Sequence, residues 1–326
     1  MHRKIAICIL IIVFITLILS GCFENEDNQE QLPPSAYQIY IENKGGYETI
    51  QEAIIAADND DTINILQGIY SEMLIINKSI NLIGESKDTT FIVIQESSIE
   101  SGNIISINAD NCTITELSII GNSSSGITGI AISSSNNTIT NVAISNTSRG
   151  IYLKGYANSK NNNIYQNTIS NNKEGIYSTP RSGKNNISAN NIFSNSKYGM
   201  FIQSDNSLIS KNKIYNNDIG IRLKSSKSNN VFKNEFNNNS NKGLYICCGT
   251  EKNFIYNNSF INNLIHVDYT VTNVNYFYKK GYGNYWDDYL EQYTNATQLN
   301  GIWDVPYKIQ DTEFEDKYPL VKPIEI

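Results

Sequence analysis

Six times between Gly129 and Ile246 the chain repeats a glycine, a hydrophobic residue, any residue and, in most instances, a second hydrophobic residue. The instances are Gly129-Ile-Ala-Ile132, Gly150-Ile-Tyr-Leu153, Gly175-Ile-Tyr-Ser178, Gly199-Met-Phe-Ile202, Gly220-Ile-Arg-Leu223 and Gly243-Leu-Tyr-Ile246. Successive glycines lie 21, 25, 24, 21 and 23 residues apart. A period of this length marks stacked supersecondary units, none of which can bury its apolar face alone.

A second ladder runs inside each repeat. Asn167, Asn190, Asn212, Asn234 and Asn257 follow the same period, each preceded three residues earlier by Ile164, Ile187, Ile209, Val231 or Phe254. Two or three residues later come Ile169, Ile192, Ile214, Phe236 and Phe260. Each repeat therefore holds three short alternating runs separated by turn residues, which reads as three strands and no helix. Three strands per coil of roughly 22 residues, stacked at about 4.8 Å, make a right-handed parallel β-helix. The expected class is all-β, with nine or ten coils. Asparagine belongs at the corners, because its side chain both donates and accepts and because it tolerates left-handed backbone.

The ends read differently. His2-Arg3-Lys4, the apolar run Ile5 to Leu19 and Leu19-Ser-Gly-Cys22 have the form of a secretory signal with a lipobox over residues 1–21. Cys22 is then the lipidated first residue, and the mature chain is held to a membrane through that lipid, facing outward. The apolar run is short for a full membrane span, so an uncleaved signal anchor is the alternative. Residues 22–36, acidic and carrying Pro33-Pro34, read as a tether. The β-helix domain is expected over 37–275 and its C-terminal cap over 276–326. Removing Arg3 and Lys4 from the 25 basic residues leaves 23 against 32 acidic ones, a net charge of −9. Such a surface argues against nucleic acid as a partner.

Two terminal segments resemble known families. Tyr47-Glu-Thr-Ile-Gln-Glu-Ala-Ile54, Asp61-Thr-Ile-Asn-Ile65, Gly68-Ile-Tyr-Ser-Glu72 and Ser79-Ile-Asn-Leu-Ile-Gly84 resemble the opening of pectin-lyase-like β-helix proteins. That resemblance implies a short capping helix before the first coils, with Ile50, Ala53, Ile54 and Ala57 on its inward face. Gly283-Asn-Tyr-Trp-Asp-Asp-Tyr289, Gly301-Ile-Trp-Asp-Val-Pro-Tyr-Lys-Ile309 and Asp316-Lys-Tyr-Pro-Leu320 resemble the end of NosD-like proteins. This second resemblance implies export and, for the family's namesake, a role in copper supply. The chain departs from a copper reading in having one mature histidine, His266, and only Met73 and Met200 after the signal.

The repeat assigns facings. In each Gly-hydrophobic-x-hydrophobic strand the x position points outward, and it holds Ala131, Tyr152, Tyr177, Phe201, Arg222 and Tyr245. Two residues on, Ser133, Lys154, Thr179, Gln203, Lys224 and Cys247 face the same way. Tyr152, Tyr177, Phe201, Arg222, Tyr245, Lys154, Gln203 and Lys224 are thus the candidate site for a polysaccharide or surface glycan. Aromatic faces would stack on sugars while the polar residues reach hydroxyls and carboxylates. The competing explanation is that the rings only stabilise neighbouring strands.

No catalytic residues are assigned. Asp205, Arg181 and Lys224 are the nearest to a lyase set, and no pair of coils offers two outward carboxylates for hydrolysis. A polysaccharide lyase or hydrolase stays an alternative, as does a copper-delivery accessory; the first reading is a non-catalytic envelope protein. No cofactor is required. Asp287, Asp288, Asp304, Asp311 and Asp316 could hold calcium, although an aromatic cap explains the same segment. For the adjacent Cys247 and Cys248, strand alternation predicts side chains turned opposite ways.

Overall fold

The computed structural model describes residues 38–94, 100–123, 126–157 and 159–326. The expected signal, Cys22 and the tether fall outside these residues.

The described chain is a right-handed parallel β-helix of about nine coils built on three sheets. Each coil visits sheet A, sheet B and sheet C in turn, as in Asn163–Tyr165, Thr168–Ser170 and Glu174–Ser178. Successive coils pair in parallel and in register, for example Ile164 with Ile187 and Ile187 with Ile209 on sheet A. Identical positions therefore stack, and the inward columns of isoleucine, leucine and valine form one continuous buried core.

Sheets A and B meet at a corner of two residues. The first has left-handed backbone: Gln166, Ala189, Lys211, Lys233 and Asn257 have φ between 51° and 58°. The second is a buried asparagine. The ladder residues are thus not themselves left-handed, and the fifth member is Asn258 rather than Asn257. The same slip moves the core position from Phe254 to Ile255; Phe254 faces outward and stacks on Tyr276 at 4.9 Å.

Each ladder asparagine does three things. Asn212 Nδ2 donates to Ile187 O at 2.9 Å and to Asn234 Oδ1 at 2.9 Å, and its Oδ1 accepts from the backbone and side chain of Asn190. Parallel ladders run along the other two corners, Asn172-Asn195-Asn217-Asn239-Asn263 and Asn229-Asn253-Asn275 among them. Buried backbone groups at a sharp corner have no sheet partner, so these side chains supply one.

Glycine in sheet C is set by space. A Cβ on Gly175, Gly199 or Gly220 would lie 2.4 to 2.6 Å from the carbonyl oxygen of the glycine one coil on. At that separation no side chain fits.

Both ends are closed. The helix Ile50–Ala56 starts at a capping box of Thr49 and Glu52 and buries Ile50, Ala53 and Ile54, with Ala57 just beyond it also buried. At the other end Phe236, Phe260, Trp286 and Tyr307 stack face to face at 4.7, 4.5 and 4.2 Å, and Tyr289 stacks on Trp303 at 5.1 Å. The sheet A–B asparagine ladder ends there on a carboxylate. Asp316 Oδ2 accepts from the Asn284 backbone at 2.6 Å and from Trp286 Nε1 at 3.1 Å.

Candidate functional site

Sheet C is the face the Gly-hydrophobic-x-hydrophobic strands expose. Register pairs Ala131, Tyr152, Tyr177, Phe201, Arg222, Tyr245 and Asp268 in one outward column. A neighbouring outward column, three residues earlier, runs Arg149, Glu174, Tyr198, Ile219 and Lys242. Lys154, Thr179, Gln203 and Lys224 form a third, all half-buried. The eight candidate glycan-contacting residues thus do lie on one face.

Their rings are not free faces. Tyr177 and Phe201 stack on each other at 4.8 Å and 5°, and Tyr152 meets Tyr177 edge-on at 5.5 Å. Phe201 is only 6% exposed, packed with Tyr198 and Ile219 in a small apolar cluster outside the main core. Ala131 is likewise covered. Stacked outward aromatics also occur on the other sheets, in Phe193–Tyr215 and Phe232–Tyr256. The rings therefore follow a rule of the whole solenoid, cross-strand pairing of like side chains.

Cations lie over outward rings on sheet A as well, where Lys279 covers Phe254 at 4.6 Å, but sheet C gathers more of them. Arg149 lies over the Tyr177 ring at 4.4 Å, Arg222 over Tyr245 at 5.0 Å and Phe201 at 5.3 Å, and Lys242 over Tyr245 at 4.4 Å. Arg222 also donates to Tyr198 Oη at 2.7 Å. Two acids answer them: Glu174 accepts from Arg149 at 3.1 Å, and Asp268 pairs with Lys242 at 2.6 Å. Among the described residues Lys154 and Lys224 have no acidic partner within ion-pair distance, and Lys154 lies over the Tyr152 ring at 5.7 Å. Burial pushes the Tyr152 hydroxyl, which contacts Tyr156 at 3.3 Å, up to about 12, so the ring stays neutral at ordinary pH.

The lyase set does not assemble. Asp205 turns one oxygen to the backbone N–H of Lys227 at 2.7 Å, closing a corner, and neither it nor Arg181 stands in the outward columns of sheet C. Cys247 and Cys248, expected to point apart, converge instead. Cys248 adopts left-handed backbone at φ 62°, which swings its Sγ to 3.0 Å from Cys247 Sγ. The Arg222 guanidinium lies 3.4 Å from Cys247 Sγ. The contact with Cys247, and then Arg222 and Lys224, hold the Cys248 thiol below the ordinary range, while burial pushes Cys247 up.

The acids of the C-terminal segment are dispersed. Asp304 binds Thr297, and Asp316 lies buried beneath Trp286. Asp287 and Asp288 alone meet another ligand-type side chain, His266. Sequence reading missed that grouping, although 266 and 287 are one coil period apart.

Comparison with known proteins agrees with the architecture. The chain is 32% identical over 82 residues to the probable ABC transporter binding protein NosD of Stutzerimonas stutzeri, a match covering 25% of this chain and 18% of the relative. The match thus spans about a fifth of the relative's length. Among solved structures, ORF18 of Geobacillus virus E2 superposes with a TM-score of 0.58 at 18% identity, over 69% of this chain and 51% of that one. Pectate lyase Pel9A gives 0.52 at 13% identity, over 72% and 68%. At such identities these two structures share the fold. The profile described as periplasmic copper-binding protein (NosD) matches residues 83–291, most of the solenoid, and the chain belongs to that family.

Proposed function

We propose that this is an exported, non-catalytic β-helix protein that holds an anionic polysaccharide along the outer face of sheet C. The observation that carries the reading is charge. In the three outward columns Arg149, Lys154, Arg222, Lys224 and Lys242 stand against Glu174 and Asp268, on a chain whose net charge is −7. An acidic protein that gathers cations on one ridge focuses attraction there. The cations fall in two groups, Arg149 with Lys154 and, three coils on, Arg222 and Lys224 followed by Lys242, so at the strand spacing of about 4.8 Å a chain laid along the axis meets two basic sites roughly 14 Å apart. The rings brace these side chains from below. Pectate lyase Pel9A, with the same fold, is named for action on an anionic polysaccharide. The NosD family's periplasmic description agrees with export, and the Cys22 lipid anchor remains part of the proposal.

The test is binding to polygalacturonate and alginate beside a neutral glucan, at low and high salt. Binding to the acidic polymers should fall with salt and should be lost in Lys154→Ala/Arg222→Ala/Lys224→Ala. Equal binding to the neutral glucan, or retention by the triple variant, would refute it.

A second reading follows from the family's copper. Met73 stands alone and half-exposed, and Met200 is sealed in the core. Among the described residues the soft donors that fit copper are Cys247 and Cys248, whose sulfurs already face each other. Copper that co-purifies with the protein and is lost in Cys247→Ser/Cys248→Ser would establish that reading; copper unaffected by the change would remove it.

A further inference from the structure

The glycine ladder of sheet C ends on a residue that is not glycine. Lys242 pairs with Ile265 and Leu244 with Val267, which places His266 opposite Gly243. In the preceding coils a side chain here would strike the next strand. Among the described residues sheet C has no strand beyond Ile265–Tyr269, so at this last coil a side chain fits. The vacant level is filled by Asp287 and Asp288, which follow the last strand of sheet B at Tyr285–Trp286.

Three ligand-type atoms converge there. His266 Nε2 lies 2.7 Å from Asp287 Oδ1 and 3.4 Å from Asp288 Oδ1, and the three atoms all lie within 4.8 Å of one another. Each carboxylate is held by its other oxygen. Asp287 Oδ2 accepts from the Asn262 backbone at 2.6 Å, and Asp288 Oδ2 accepts from Gln292 Nε2 at 2.7 Å and Tyr307 Oη at 3.1 Å. On the far side of the imidazole, Nδ1 lies 3.4 Å from the Asn263 amide. This is the organisation of a metal centre, with outer groups orienting the ligands.

Two further observations point to a ligand. The His266 side chain is only 8% exposed, with its Nε2 turned into the cluster. Asp288 Oδ1 is buried and has no hydrogen-bond partner, an arrangement folded proteins rarely leave uncompensated. An ion at about 2.0 to 2.2 Å from each donor sets neighbouring ligand atoms roughly 3.0 to 3.4 Å apart; His266 and Asp288 already stand at 3.4 Å, and the 2.7 Å hydrogen-bonding contact of His266 with Asp287 has to open by a few tenths of an ångström to admit the ion. A pocket of about 720 Å³, bounded also by Gln292, Tyr307 and Asp311, opens in front of the three atoms.

We propose that His266 Nε2, Asp287 Oδ1 and Asp288 Oδ1 bind one divalent transition-metal ion of the zinc or manganese class, with its remaining coordination positions open to the pocket. One imidazole and two carboxylates form a borderline-to-hard donor set, unlike the sulfur pair of Cys247 and Cys248. The two carboxylates balance the charge of the ion. The site is independent of the sheet C face.

The test is metal content and titration of purified, chelator-stripped protein with Zn²⁺ and Mn²⁺, and the visible spectrum with Co²⁺. The expected result is one ion per chain, kept in Cys247→Ser/Cys248→Ser and lost in Asp287→Asn/Asp288→Asn. Tyr307→Phe, which removes only an outer donor, should weaken binding by about 10- to 100-fold. Should the double asparagine variant fail to fold, the Co²⁺ spectrum of the unaltered protein decides, since oxygen and nitrogen ligands give no sulfur charge-transfer band. Failure of the stripped protein to take up an ion overturns the proposal. So does uptake unchanged by the asparagine pair, or a sulfur-to-cobalt band that the serine pair abolishes.

Discussion

Replacing Asn212 by alanine tests whether the corner ladders hold the coils together. The side chain makes four hydrogen bonds, two donated and two accepted, all buried. Truncation leaves the Asn190 backbone N–H without a partner, frees one hydrogen of the Asn190 amide, and takes from the Ile187 carbonyl its side-chain donor. Each buried orphan costs about 1 to 3 kcal/mol, so the change should destabilise by roughly 2 to 6 kcal/mol. That is a large part of the roughly 5 to 15 kcal/mol that holds a typical domain. Asn191, the next residue, is exposed, and Asn191→Ala should stay within about 0.5 kcal/mol. Asn212→Asp keeps both acceptor contacts, loses both donors and buries a charge, so it should be unstable at neutral pH and partly recover in acid.

Urea unfolding followed by circular dichroism reads the loss. Tryptophan fluorescence reads the C-terminal end alone, because Trp286 and Trp303 both lie there. Because each coil contacts only its neighbours, the break should also separate the two signals, which coincide in the unaltered protein. A loss below about 1 kcal/mol, or one equal to that of Asn191→Ala, would refute the assignment of the ladder's strength to these bonds.

Two further predictions follow from the same stacking. Gly199→Ala places a Cβ 2.6 Å from the Gly220 carbonyl oxygen, and prying the strands apart should cost about 1 to 3 kcal/mol in a thermal or urea melt; no change would mean that the coils yield freely. Asp316 is pushed up to about 7 by burial, which outweighs its backbone and Trp286 donors. Its folded value lies above the unfolded 3.8, so its contribution is full below about pH 4 and is lost as pH rises through about 7, on the order of 4 kcal/mol at most. Asp316→Asn should flatten that slope, and an unchanged pH profile would show that the carboxylate ionises without penalty.

The repeat carried most of the architecture because its period is visible in single residues. The three strands per coil, the capping helix with its buried Ile50, Ala53 and Ile54, and the aromatic C-terminal cap were all legible. So was the outward facing of Tyr152, Tyr177 and Arg222. Two adjacent asparagines, Asn257 and Asn258, hid the ladder, since either satisfies the spacing and only hydrogen bonding tells them apart. Exposure was harder to read. Phe201 faces outward yet is buried, because Tyr198 and Ile219 belong to a second outward column that the glycine motif does not mark. Cys247 and Cys248 misled for a related reason: alternation holds only while the strand continues, and Cys248 has already left it.

The solenoid's own logic says where chemistry belongs. Within the stack every ladder residue is committed: an asparagine to the next asparagine, a glycine to the carbonyl above it, a ring to its neighbour. A substitution for function there would break contacts in two coils at once. The residues free to differ are those on the outward faces and those at the last coil, where a ladder must stop. Asp316 stops one ladder with a carboxylate. His266 stops the glycine ladder and brings an imidazole against two carboxylates. A terminator needs only to fill space and satisfy donors, as Asp316 does. In the His266 group the donor nearest Asp288 Oδ1 is His266 Nε2 at 3.4 Å, which already meets Asp287 at 2.7 Å, so closing the end of the helix does not account for the buried Asp288 oxygen.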